Sequence, residues 1–246
     1  MPRLDERLKC VAKQIRCEAH ADIGSDHGHL LKALLTSGRI KFGIAIENKS
    51  QPYANSAQTL GELNAEVRFG DGLQPLQANE ANSLSICGMG GELIAGILSE
   101  LPERVPARVI VQPNKRADLI REWGFKSGYW LRDEFVVGEQ PFDVLVLERP
   151  SAREQSERNR KRSERTELDS EPVCDEPVCD EPAYGDPAYE GLDREAAILF
   201  GPFHVRTRSD PFIVRLRDEH RYLNGLPFLN DHCQRRLDAI TTLLGR

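Results

Sequence analysis

Between Asp5 and Leu147 the chain alternates short apolar runs with amphipathic ones, and that alternation leaves few folds open to it. The runs His20–Ile23, Phe42–Ile46, Val67–Phe69, Leu84–Cys87 and Arg108–Val111 read as buried strands. Segments of helical period lie among them at Asp5–Ile15, Leu30–Ser37, Pro52–Leu63, Glu92–Leu101 and Ala117–Lys126. Strands joined through helices cannot pair as hairpins, so the pattern predicts a mainly parallel, doubly wound sheet, a Rossmann-like α/β architecture. Trp130–Val137 and Phe142–Leu147 are separated only by Gly138-Glu139-Gln140-Pro141. That spacing suits an antiparallel hairpin at the sheet edge and makes seven strands.

A chain of 246 residues can bury one α/β core and a small appendage. Its mean hydropathy is -0.48, no apolar run approaches the roughly 18 residues of a membrane span, and the start lacks the apolar stretch of a signal peptide. A cytoplasmic protein with no membrane partner is expected. The six cysteines contain no C-x-x-C pair, and His20, His204, His220 and His232 have no partner at ligand spacing, so no metal is expected.

The net charge of -6 argues against a nucleic-acid partner until it is divided along the chain. Residues 1–152 hold 18 basic and 20 acidic side chains, residues 153–195 hold 7 and 14, and residues 196–246 hold 8 and 5. The acidity belongs to the middle piece, where a basic-leaning run is followed by a five-residue phrase repeated around Pro172, Pro177, Pro182 and Pro187. Such a composition buries no apolar face. Residues 151–195 are therefore expected as a disordered insertion between a domain at 1–150 and a C-terminal extension at 196–246. In that extension Arg215–Leu223 and Leu229–Leu244 read as helices on either side of a Gly225-Leu226-Pro227 break, a helical hairpin.

In a sheet of this kind ligands bind beyond the carboxyl ends of the strands, and the turn after the first strand approaches them most closely. There the chain reads Ala-Asp-Ile-Gly-Ser-Asp-His-Gly, residues 21–28. Gly24 and Gly28 permit close backbone approach, and the following helix presents free N–H groups. Asp26 stands where a dinucleotide fingerprint would have glycine, and a carboxylate there repels a pyrophosphate. It suits a ligand with an ammonium or sulfonium group, such as the amino-acid end of S-adenosylmethionine. An ordinary strand-to-helix turn with a capping Asp is the alternative on this turn alone. Glu47, ending the second strand, can accept both hydroxyls of a ribose, and Asp71, after the third, can accept from an adenine amino group. Three acidic strand ends on one edge outline an adenosine bearing positive charge.

The fourth strand runs into Ser-Ile-Cys-Gly-Met-Gly-Gly, residues 85–91. Together with the 21–27 phrase, Gly-Asp-Gly-Leu at 70–73, Val-Gln-Pro-Asn at 111–114, Arg-Glu-Trp at 121–123 and Gly-Pro-Phe at 201–203, it resembles the TrmK family of bacterial tRNA methyltransferases. The likeness runs from residue 4 to about 149 and resumes near 198. It implies a class I methyltransferase fold with a C-terminal, coiled-coil-like helical extension, S-adenosylmethionine as cofactor, and methyl transfer to N1 of adenine-22 in tRNA. A monomer is the expectation.

By the same resemblance Asp22, Gly24, Ser25, Asp26, His27 and Gly28 form the cofactor turn, Glu47 and Asn48 the ribose site, and Asp71 and Gly72 the adenine site. Gly88, Met89, Gly90 and Gly91 lie where the acceptor base is presented. Gln112 or Asn114 could hydrogen-bond a base edge, with Pro113 between them on the substrate side; a turn with a capping Asn is the alternative. Arg7 reaches the site or a phosphate, or else makes a surface ion pair. Arg215, Arg217, Arg221, Arg235 and Arg236, with Arg206 and Arg208, supply a basic surface for tRNA phosphates, unless they are solvated helix faces. His29 and Leu31 depart from the aromatic and proline residues frequent in that family. No general base is assigned, because N1 of adenine already exposes a lone pair. A methyltransferase acting on another RNA or a small molecule, and a binding protein without activity, are the other hypotheses.

Overall fold

The computed structural model describes residues 4–137, 142–157, 160 and 186–245. Seven strands form one sheet: β1 (Ala19–Ile23), β2 (Phe42–Glu47), β3 (Ala65–Phe69), β4 (Ser83–Met89), β5 (Arg108–Pro113), β6 (Trp130–Val137) and β7 (Phe142–Glu148). Their order is β3-β2-β1-β4-β5-β7-β6. The first five are parallel, and β7 pairs antiparallel with both β5 and β6, so the expected edge hairpin is present with its second strand turned inward.

The helices cover both faces because residues of opposite parity on each strand are apolar. On one face α1 (Glu6–Lys13), α2 (His29–Thr36) and α3 (Ser50–Leu60) bury Val11, Leu31, Leu34 and Leu60 against Ala45, Ile110 and Val144. On the other, α4 (Gly91–Glu100) and α5 (Ala117–Ser127) bury Ile94, Leu98, Ile120 and Trp123 against Ile44, Ile46, Val109 and Val111. Each such side chain contributes about 1.5–3 kcal/mol. The helix ends follow local chemistry: Asp5 caps α1 by accepting from the Leu8 N–H at 2.7 Å.

The C-terminal extension holds more helix than its periodicity predicts. Two short helices, α6 (Arg194–Phe200) and α7 (Pro202–Thr207), precede the hairpin of α8 (Asp210–Asn224) and α9 (Asp231–Leu244). Helix α8 begins five residues earlier than expected, because Pro211 sits in its first turn, where the missing N–H costs nothing. Among the described residues, no helix is long and apolar enough to cross a membrane.

The expected insertion needs narrower limits. Its acidic repeat falls mainly on residues 161–185, outside the described residues, but both flanks are built. Residues 152–157 are helical, and Asp186 accepts from the Leu131 N–H at 2.6 Å while Ala188 and Tyr189 pack into the core. The extension therefore joins the sheet from residue 186, not 196.

A buried ion pair fastens that joint. Arg121 on α5 donates to Glu134 on β6 at 3.0 Å and to the Ile198 carbonyl at 3.1 Å, and Glu134 accepts from the Phe203 N–H at 3.2 Å. Gly201 has φ +91°, and any side chain there would run into the Glu134 carboxylate. The distant phrases Arg-Glu-Trp and Gly-Pro-Phe thus meet at one carboxylate. Replacing Arg121 by Ala leaves Glu134 buried without its cation and should cost about 3–5 kcal/mol in urea unfolding. The Arg121→Met, Glu134→Leu double variant should recover most of that loss. A single-variant cost below about 1 kcal/mol would show that the joint does not depend on the pair.

Candidate functional site

The site stands at the carboxyl edge of β1, β2, β3 and β4. Parallel pairing sets Asp22 opposite Ala45 of β2 and Ser85 of β4, and Glu47 opposite Phe69, so these strands end close to level. The connections leave β1 toward β2 on one side, while β4 lies on the other. Between them opens the crevice in which open α/β sheets take their ligands.

The turn after β1 is built from left-handed backbone: Gly24 at φ +69°, Asp26 at +59° and Gly28 at +67°. Gly24 donates to the Ile46 carbonyl at 2.9 Å, and the space a side chain would need there is filled by the Met89 methyl. Asp26 tolerates the conformation because its N–H is taken by the Glu47 carboxylate. Ser56 also donates to that Glu47 oxygen, at 3.4 Å, and the other oxygen has no hydrogen bond among the described residues. One oxygen holds the turn and one is left for a ligand.

Asp22 and Glu47 are each 4% exposed. Burial pushes the Asp22 carboxyl up to about 6, against a hydrogen bond from Ser85 that favours its charge, and burial raises Glu47 as well. The buried Ser25 hydroxyl faces the Asp22 carboxyl as well and favours its charged form. The Asp26 and His27 side chains reach into solvent 3.7 Å apart, and the His27 ring stacks on His29 with centroids 5.4 Å apart. His29 thus supplies the flat surface expected of an aromatic residue. Asn48 donates to Asp71 at 3.0 Å, tying the ends of β2 and β3, and Gly72 turns at φ +50° beside Ile97.

The loop Gly88–Gly91 is laced to the loop after β5. Gln112 accepts from Arg7 at 2.6 Å and from the Gly88 N–H at 3.1 Å, and its amide nitrogen donates to the Pro113 carbonyl at 3.0 Å and to Asn114 at 3.3 Å. Asn114 donates to the Gly88 carbonyl at 2.7 Å. Gly90 caps α4, and a side chain on Gly91 would meet the Arg116 carbonyl. Gln112 is fully buried and both ends of its amide are committed, so it shapes the loop and cannot also face a base. Asn114 is exposed and keeps one acceptor lone pair. Arg7 braces the same loop through Gln112 and also meets Asp5 at 3.5 Å. Pro113 is buried at the end of β5.

The C-terminal arginines divide into three sets. Arg235 is held by Glu195 at 2.7 Å, Arg236 by Glu219 at 2.5 Å with its guanidinium 4.5 Å above the Phe200 ring, and Arg221 by Asp218 at 3.2 Å. Arg206 and Arg208 are turned onto backbone carbonyls of their own segment. Arg215 lies over Phe212, and neither it nor the exposed Arg217 has a carboxylate partner among the described residues. A cavity of about 280 Å³ at the joint is lined by Arg116, Arg121, Arg215 and Arg236, but Asp118, Asp143 and Glu219 line it too and cancel most of that charge.

Sequence reasoning missed Ser56, Ser85 and His20 as parts of this site. The two-residue period held the signal for the last two, since His20 and Asp22 share a face of β1, and Ser83 and Ser85 a face of β4.

Residues 4–145 match the family described as Methyltransferase domain. The chain is 38% identical over 155 residues to the tRNA (adenine(22)-N(1))-methyltransferase of Bacillus subtilis (strain 168), across 59% of this chain and 65% of that one. The stretch that aligns thus spans just under two thirds of that relative's length. The crystal structure of B. subtilis TrmK superposes with a TM-score of 0.75 at 26% identity, covering 100% of this chain and 98% of the other. A Streptococcus pneumoniae protein solved in complex with S-adenosyl-L-methionine superposes at 0.70 and 25% identity over 98% and 100%. With seven strands in the order β3-β2-β1-β4-β5-β7-β6 and a match over residues 4–145, the chain belongs to the methyltransferase domain family, and its full-length likeness within it is to TrmK.

Proposed function

We propose that this chain transfers a methyl group from S-adenosylmethionine to N1 of an adenine in tRNA, at position 22 by its likeness to the B. subtilis enzyme. The carrying observation is the carboxyl edge itself: two buried carboxylates, Asp22 and Glu47, beside a glycine turn and in contact with a second glycine loop. The residues present fit the cofactor. Glu47 has a free oxygen for ribose hydroxyls, Ser25 sets a buried hydroxyl beside Asp22, and among the described residues no cation faces Asp22 to compete with a sulfonium or ammonium group. Asn48 and Asp71 would hold the adenine side.

The cofactor, when bound, supplies a methyl group on a positively charged sulfur. The protein's task is then mainly alignment. The Met89 methyl rests on Gly24, so the acceptor loop and the cofactor turn are in direct contact and their positions are set together. Well-oriented partners save on the order of 7–11 kcal/mol. Adenine N1 carries its own lone pair and needs no base, and Asn114 offers a carbonyl oxygen toward the charge that arrives on the purine. Because N1 is hidden in base pairing, the adenine must reach Gly88–Gly91 unpaired or flipped out. A cytoplasmic monomer that grips tRNA phosphates through Arg215 and Arg217 completes the reading.

Transfer from labelled S-adenosylmethionine to unmodified tRNA, followed by base mapping, should yield 1-methyladenine. Glu47→Ala should weaken cofactor binding by roughly tenfold or more, since it removes hydrogen bonds to a charged group. Methylation of a different base, or cofactor binding with no transfer to tRNA, would redirect the search to other acceptors. Separately, Arg215→Ala and Arg217→Ala should each lower tRNA affinity and flatten its log–log salt dependence by about 0.7–0.9, with cofactor affinity unchanged. Arg235→Ala, whose side chain is already paired, should change that slope little. A slope unaffected by the first two variants would place the tRNA surface elsewhere.

A further inference from the structure

Beneath the cofactor turn, a line of buried polar side chains crosses from β4 to β1. Parallel register sets His20 opposite Ser83 and Asp22 opposite Ser85, and all four are essentially inaccessible to solvent. His20 Nδ1 lies 2.7 Å from the Ser83 hydroxyl and Nε2 lies 2.9 Å from the Ser85 hydroxyl. Ser85 in turn donates to Asp22 Oδ1. At the far end Ser83 meets the Cys17 thiol at 3.1 Å.

The direction of every bond in this line follows from its carboxylate end. An ionised Asp22 only accepts, so Ser85 must donate its single proton there. The Ser85 oxygen can then only accept from His20, which puts the ring proton on Nε2. A neutral ring has one N–H, so Nδ1 accepts from Ser83. Burial keeps the ring neutral by pulling its pKa down to about 3, consistent with that single tautomer.

The groups facing Asp22 leave few other means of holding its charge. Ser85 and Cys87 come from β4, Glu47 from β2 with Asp26 of the turn beside it, Ser25 from the turn, and His20 from its own strand. None of these is a cation, and the nearby carboxylates oppose a second negative charge. A buried carboxylate in such surroundings stays ionised and fixed only through its hydrogen-bond donors.

We propose that His20 and Ser85 are positioning residues for cofactor binding, holding Asp22 charged and in one rotamer under the Gly24–Gly28 turn through a one-way hydrogen-bond chain from Ser83. They touch neither the cofactor nor the acceptor and act through Asp22. The inference rests on the reading of this edge as the S-adenosylmethionine site.

The test is the affinity for S-adenosylmethionine from pH 5 to 8, in the wild type and in Ser85→Ala. Wild-type affinity should fall as pH drops through about 6, where Asp22 takes up a proton. Removing a donor to the charged form raises that pKa, so the variant's acidic limb should move to higher pH, with binding roughly tenfold weaker at pH 7. A limb that superimposes on the wild type would overturn the proposal. Nitrogen-15 spectra of the wild-type imidazoles give an independent reading that needs no variant. Above pH 6, where Asp22 is ionised, His20 should be one neutral Nε2–H tautomer, and a ring that is charged or carries its proton on Nδ1 there would equally overturn it. If the wild type itself does not bind S-adenosylmethionine, the proposed function fails, while the nitrogen-15 reading still judges the chain.

Discussion

The pairing of β1 on both sides is the constraint on which the rest of the molecule depends. Its register against β2 and β4 brings Asp22, Glu47 and Gly88 out at one edge, and places Asp22 beside Ser85 and His20 beside Ser83. Because side chains alternate across a strand, a slip of one residue would turn Asp22 and His20 to the opposite face and leave Ser83 and Ser85 without partners. The apolar residues of β1 and its neighbours resist that slip. Ala21 and Ile23 pack in one cluster with Ile44 and Ile46, and the same pattern that builds the core therefore fixes the polar edge.

Helix α5 carries two jobs at once. Just before its first residue, Arg116 backs the Gly88–Gly91 loop, since its carbonyl occupies the space a Gly91 side chain would need. One turn further in, Arg121 holds Glu134 and the Ile198 carbonyl, which fastens the C-terminal helices to the sheet. The Gly88–Gly91 loop and the helical extension are thus mounted on the same element. Under the proposed function, such a shared mount would hold the loop that takes the base and the helices that take the tRNA backbone in a fixed relation.

The fold was largely legible in the sequence because buried parallel strands and amphipathic helices carry different periods, and the order of elements leaves few topologies. The left-handed glycine turn after β1 and the carboxylates at the strand ends were legible too, since such turns have few substitutes for glycine. Roles that depend on which of several hydrogen bonds a side chain makes were not. Gln112 looked like a base contact because Gln can read a base edge, but the Gly88 N–H and Arg7 consume its oxygen. Arg235 and Arg236 read as phosphate ligands, but their carboxylate partners Glu195 and Glu219 lie 40 and 17 residues away and could not be read from the sequence. The segment after residue 186 was concealed by its neighbouring repeat, although Ala188 and Tyr189 are ordinary core residues.

The central claim is that the carboxyl edge of β1, β2, β3 and β4 holds S-adenosylmethionine. Amide hydrogen exchange with and without S-adenosylhomocysteine tests it most directly, because the product shares the cofactor's adenosine and amino-acid ends and reports location as well as binding. Protection should appear at residues 22–28, 47–48, 70–73 and 88–91, with the α8–α9 hairpin unchanged. Protection confined to the joint around Arg121 and Arg236, or none at saturating ligand, would contradict the account.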